Sequence, residues 1–220
     1  GTTTFVERIE SEATPSVADV DGDGEPELIF RTPELRLVAT AMDGTMLWDV
    51  DGGEESDWGW PVVADLEGDG RLEIVETNRV YDAATGAFRF EVEGWWVQGY
   101  VQALVADLDL DGLAEIVLGE VVSNSAGTPL WSVDMPEFDF AHTLVVQADE
   151  DAEGELAFVS SEFEVRDTDG AEMWRITIDD SDYPFGRPGP PCAGDLDGAV
   201  ADDRPDDDAL DDLVVLHYAV

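Results

Sequence analysis

The chain has 220 residues, 44% of them hydrophobic, and its 53 Asp and Glu against ten basic residues give a formal net charge of −43. That charge argues against nucleic acid or an anionic lipid surface as partner, because both need a surface of opposite sign, and the apolar content argues against an acidic disordered tail. No run of about 18 apolar residues exists to enter a bilayer, and the one cysteine, Cys192, permits no intrachain disulfide. In chain order, the first ten residues lack the basic and apolar regions of a signal peptide, and Gly1-Thr-Thr-Thr-Phe-Val6 reads as a strand similar to Gly44-Thr-Met-Leu-Trp48. The apolar stretch at 15–18 leads into an acidic loop, followed by a second strand at Glu27–Arg31 and a third at 35–39 that alternates at period two. A turn at Asp43-Gly44 then opens a fourth strand.

This unit recurs. Its acidic loops begin at Asp19, Asp65, Asp107, Gln147 and Asp195, with offsets of 46, 42, 40 and 48 residues. The fourth strand recurs after Gly86, Gly127 and Gly170. A period in the forties with four strands per copy suits a propeller blade and is far too long for a β-helix coil. No stretch keeps a helical period beyond a turn or two. The expected fold is an all-β, single β-propeller domain over 1–220, with repeats near 11–56, 57–98, 99–138, 139–186 and 187–220 plus 1–10. The fifth copy is interrupted by an acidic insertion, resumes at 211–216 and ends just after its second strand, so its blade is expected either to be shared with the N-terminal strand, closing a five-bladed ring, or to belong to a longer propeller.

The loops follow D-x-D-x-D-G-x-x-E. Alternate oxygens at positions 1, 3, 5 and 9, with the backbone carbonyl of position 7, are what a hard cation of six to eight oxygen ligands needs from a short loop, and Gly at position 6 permits the sharp turn. The first loop offers Asp19, Asp21, Asp23, Glu25 and Glu27. The second offers Asp65, Glu67, Asp69, Arg71 and Glu73, and the third Asp107, Asp109, Asp111, Leu113 and Glu115. The fourth keeps Asp149, Asp151 and Glu155 but has Gln147 first and Ala152 in place of glycine. The fifth keeps Asp195 and Asp197, with Asp212 placed to close it. Turns are rich in Asp and Gly without any metal, but three full patterns in one register between apolar strands point to Ca²⁺ at three sites and at up to five. The absence of Cys and His from the loops argues against zinc or copper.

Val17-Ala-Asp-Val-Asp-Gly-Asp-Gly followed by Glu27-Leu-Ile-Phe30 resembles the FG-GAP, or VCBS-like, repeat of integrin α-subunit-type β-propellers. The resemblance implies Ca²⁺ between the first two strands of each blade, on one face of the disc. It also implies an extracellular or cell-surface setting, with roles in adhesion or ligand binding. Glu at position 9 stands where the family has Asp, and the Phe-Gly and Gly-Ala-Pro signatures are poorly kept.

Aromatics collect before the first strands: Trp58 and Trp60, then Trp95, Trp96 and Tyr100, then Tyr183, with His142 in the same zone. In a propeller these connections lie opposite the calcium loops. They either pack between blades or form a face for a protein or glycan ligand. Neither His142 nor His217 belongs to a triad or zinc motif. The expectation is a calcium-binding module for adhesion, ligand binding or scaffolding rather than an enzyme, on its own or as part of a larger chain or assembly. A polysaccharide-active enzyme, or its accessory carbohydrate-binding domain, is the alternative.

Overall fold

A computed structural model describes residues 14–53, 60–94, 103–133, 142–149, 151–159, 162–177, 192–194 and 212–214, and every regular element among them is a β-strand. The first sheet is β1 (Ser16–Ala18), β2 (Glu27–Arg31), β3 (Arg36–Ala41) and β4 (Met46–Asp51). The second is β5 (Val62–Ala64), β6 (Glu73–Glu76), β7 (Arg79–Asp82) and β8 (Phe88–Glu91). The third is β9 (Leu104–Ala106), β10 (Glu115–Leu118), β11 (Val121–Ser123) and β12 (Pro129–Ser132), and the fourth is β13 (His142–Val146), β14 (Glu155–Val159), β15 (Glu162–Arg166) and β16 (Glu172–Thr177). Each is antiparallel in chain order, and β17 (Cys192–Gly194) pairs with β18 (Asp212–Val214). The four-strand unit expected of the first four copies is therefore present. Residues 1–6, expected to complete a shared blade, lie outside the described residues, and no strand pairing among the described residues joins the last sheet to the first.

The second strands explain how the sheets stack. β6, β10 and β14 are buried at every residue, as strands covered on both faces must be; each opens on a buried glutamate, Glu73, Glu115 or Glu155, and continues in apolar residues, with Glu76 closing β6. The core lies between successive sheets. Ile29, Leu37 and Trp48 pack against Ile74 and Tyr81, Val75 and Val80 against Ile116 and Leu118, and Val117 and Val122 against Leu156 and Phe158. The first strands stand side by side in the same order, β1 by β5, β5 by β9, β9 by β13 and β13 by β17.

A bulge recurs where the third and fourth strands of each sheet pair. Leu47, Arg89, Leu130 and Met173 have no opposite residue in the register. Next to each bulge stands an aromatic: Trp48, Phe90, Trp131 and Trp174. The first three lie against the glycine of the following sheet's last turn. A Cβ on Gly86 would come within 2.8 Å of the Trp48 ring, one on Gly127 within 2.9 Å of Phe90, and one on Gly170 within 2.8 Å of Trp131. The Trp48 indole also donates to the Ala83 carbonyl at 3.0 Å, and that of Trp131 to Thr168 at 2.8 Å.

Candidate metal centres

All four described acidic loops sit between the first and second strands of a sheet, and none is helical. Their frame is one hydrogen bond repeated. The position 9 glutamate accepts the backbone N–H of position 2: Glu27 from Val20 at 3.0 Å, Glu73 from Leu66 at 3.0 Å, Glu115 from Leu108 at 2.9 Å, and Glu155 from Ala148. A buried carboxylate at the base thus fixes the start of the loop. At the rim, the position 1 aspartate accepts the N–H of the position 6 glycine, Asp19 from Gly24 at 3.0 Å, Asp65 from Gly70 at 2.7 Å, and Asp107 from Gly112 at 3.0 Å. Asp23, Asp69 and Asp111 accept the N–H of Glu25, Arg71 and Leu113 in the last turn. At position 4, Gly22 and Gly68 hold φ of 76° and 64°, and Leu110 adopts the same left-handed backbone at 59°, a conformation that costs a residue with a Cβ about 1–2 kcal/mol.

Three of the loops bring carboxylates together. Asp19, Asp21 and Glu27 form one group, Asp107, Asp109 and Glu115 a second, and Asp149, Asp151 and Glu155 a third, each offering oxygens within 4.8 Å of one another. A cation with metal–oxygen distances of about 2.3–2.6 Å bridges oxygens up to about 5 Å apart, and the all-oxygen donor set suits a hard ion. The third group has the sharper test of fit: Glu155 Oε1 is buried without a hydrogen-bond partner, an oxygen that a bound ion or water would satisfy. Burial pushes the carboxyls of Glu115 and Glu155 above the ordinary carboxylate range. Their backbone N–H bonds oppose this, and the neighbouring aspartates add to it.

Asp149, Asp151 and Glu155 come together as the sequence allowed, and among the described residues the grouping departs from the expectation in the second loop. The fourth loop, lacking the first carboxylate, assembles nonetheless; the Gln147 amide donates to the carbonyls of Asp149 at 3.1 Å and Asp151 at 2.7 Å and closes the loop from within. The second loop has the full pattern but does not form a group among the described residues; Arg89 of β8 lies between its glutamates, 2.5 Å from Glu67 and 2.5 Å from Glu73. Arg89 was missed by pattern reading, although an arginine where the other copies have Leu47, Leu130 and Met173 was a signal in plain view. Asp195 and Asp197 lie outside the described residues. Asp212 is opposite Gly194, the register at which Glu27 faces Ala18 and Glu115 faces Ala106. Among the proposed ligand residues, Trp60 and His142 are half-buried, whereas Trp58, Trp95, Trp96, Tyr100 and Tyr183 lie outside the described residues.

Neighbouring loops are joined. Ala114 N–H donates to the Leu66 carbonyl at 2.9 Å, and Gly154 N–H to that of Leu108 at 2.8 Å, so position 8 of one loop binds position 2 of the loop before it.

No protein-family model and no curated protein matches the chain. Solved structures do. The V. cholerae biofilm matrix protein Bap1 is similar with a TM-score of 0.63 at 22% identity, over 74% of this chain and 28% of that one. Bacillus licheniformis rhamnogalacturonan lyase PL11 has a TM-score of 0.50 at 17% identity, over 94% and 55%. An Agrocybe aegerita lectin that recognises non-reducing terminal N-acetylglucosamine has a TM-score of 0.50 at 16% identity, over 92% and 60%. The likeness is one of fold. The chain spans less than two thirds of the length of each of these proteins.

Proposed function

We propose that the chain is a calcium-binding β-propeller of the FG-GAP, or VCBS-like, type, acting as an adhesion, ligand-binding or scaffolding module outside the cell or at its surface. One observation carries this: three oxygen-only carboxylate groups recur at the same place, between the first and second strands of a sheet, each built on a buried glutamate. The propeller is supported by the face-to-face stacking of successive sheets, with first strands adjacent in chain order. The setting is supported by the fold likeness to a biofilm matrix protein, and extracellular calcium modules work at affinities on the order of 10⁻⁴ to 10⁻³ M.

Calcium then replaces repulsion between carboxylates with bridging and ties each loop shut. Thermal melts in EGTA and in millimolar CaCl₂ test this: the melting temperature rises with calcium, and superimposable curves overturn the assignment.

The face for a protein or glycan ligand is the one opposite the loops, where β5 and β13 begin beside Trp60 and at His142. A polysaccharide-active enzyme, or an accessory carbohydrate-binding domain of one, is the second reading, favoured by fold likeness to a lyase and a lectin. Parallel glycan-binding and glycan-cleavage screens separate the two: binding without cleavage supports the module, and cleavage supports the enzyme.

A further inference from the structure

The second loop matches the metal pattern in sequence yet holds a guanidinium. Arg89 approaches Glu67 with both terminal nitrogens, at 3.0 and 2.5 Å, and Glu73 at 2.5 Å. Glu73 is the buried base of this loop, in the role of Glu155 in the fourth. There Oε1 has no hydrogen-bond partner; here Oε1 meets Arg89. The guanidinium therefore lies where the other loops turn their carboxylates toward one another.

Two features place it there. Arg89 is the unpaired residue of the β7–β8 bulge, and a bulge re-aims the side chain it carries. The same bulge in the other sheets carries Leu47, Leu130 and Met173, none of which can neutralise an acid. At position 3 the other loops have Asp21, Asp109 and Asp149, and this loop has Glu67. The longer carboxylate reaches outward to meet both arms of the guanidinium, the two-pronged geometry that an arginine fork favours. The two departures from the repeat thus occur in one copy and touch each other.

We propose that Arg89 is a built-in counter-ion that takes the place of the metal in the second loop, so that this loop closes without a divalent cation and a metal site lies latent beneath the guanidinium. The proposal rests on the calcium reading of the other loops. The fixed positive charge repels an incoming divalent ion and already occupies oxygens of both Glu67 and Glu73.

Bound calcium, counted by elemental analysis after equilibrium dialysis against millimolar CaCl₂, tests this in the wild type and in the double variant E67D/R89L, which restores the pattern of the first and third loops. The double variant is expected to hold one more ion per chain than the wild type. The single variant R89L is expected to melt below the wild type in EGTA and to regain that loss in CaCl₂. Equal ion counts in wild type and double variant, or a loss in R89L that calcium does not restore, overturn the proposal. Should R89L fail to fold, the double variant decides, since leucine is the native residue of this bulge in two other sheets. A wild type that holds no calcium removes the reading of the first, third and fourth loops, and the difference between the two counts still judges Arg89.

Discussion

Glu115 is nearly buried, accepts the Leu108 N–H, and stands beside Asp107, Asp109 and Asp111. A glutamine in its place keeps an oxygen for that N–H but loses the charge. E115Q is therefore expected to lose one bound calcium per chain while its calcium-free melting temperature stays at or above that of the wild type; a large drop in the calcium-free melt would show that the ionised carboxylate itself holds the loop. The same burial sets a pH dependence. The carboxyls of Glu115 and Glu155 are raised above the ordinary 4.5, so the folded chain binds these protons more tightly than the unfolded chain does. Stability then grows as pH falls through the raised values and the gain is complete below about 4.5. Metal-stripped protein is expected to melt higher near pH 5 than at pH 7, and a melting point that falls steadily with acidification would contradict this.

At the scale of elements, the joint between sheets is the pairing of an aromatic with the next sheet's glycine turn. Gly127 has φ of 77° and would set a Cβ against both the Phe90 ring and the Glu91 carbonyl. G127A is expected to destabilise by about 1–3 kcal/mol through left-handed strain and overpacking, measured by chemical denaturation; a neutral result would mean the turn moves freely against β8. Much of this level was legible in the sequence. Alternating and continuous apolar runs located the strands, and the recurring Gly-x-x-x-aromatic spacing located the last hairpin of each copy. The bulge was not legible, because it is a property of register between two strands and leaves no mark in either alone. The loops show the same divide. Pattern matching found residues able to bind metal, since ligand type and spacing are local. It listed Asp149, Asp151 and Glu155 for the fourth loop, and these do come together, but it did not register that Arg89, sixteen residues after Glu73, folds back over the second loop.

In the whole molecule, the sheets are tied at two ends. At the loop end, the backbone bonds from Ala114 to Leu66 and from Gly154 to Leu108 link one acidic loop to the next. At the other end, the buried Arg31 guanidinium ion-pairs with the buried Glu76 of the second sheet and donates to the Gly53 carbonyl at 2.9 Å. Removing one partner of a buried pair strands the other, at a cost of about 3–5 kcal/mol. R31A is expected to lose that much in denaturant titration, and a loss below about 1 kcal/mol would mean that water reaches Glu76. The glycine–aromatic joint has a consequence of a different kind. Each unit carries its plug on the last strand and its cradle on the turn just before that strand, so a single stretch of gene encodes both halves of the coupling. A tandem duplication of that stretch delivers a copy that already fits its parent and its offspring, in one direction of travel, and the lineage can lengthen without inventing a new seam.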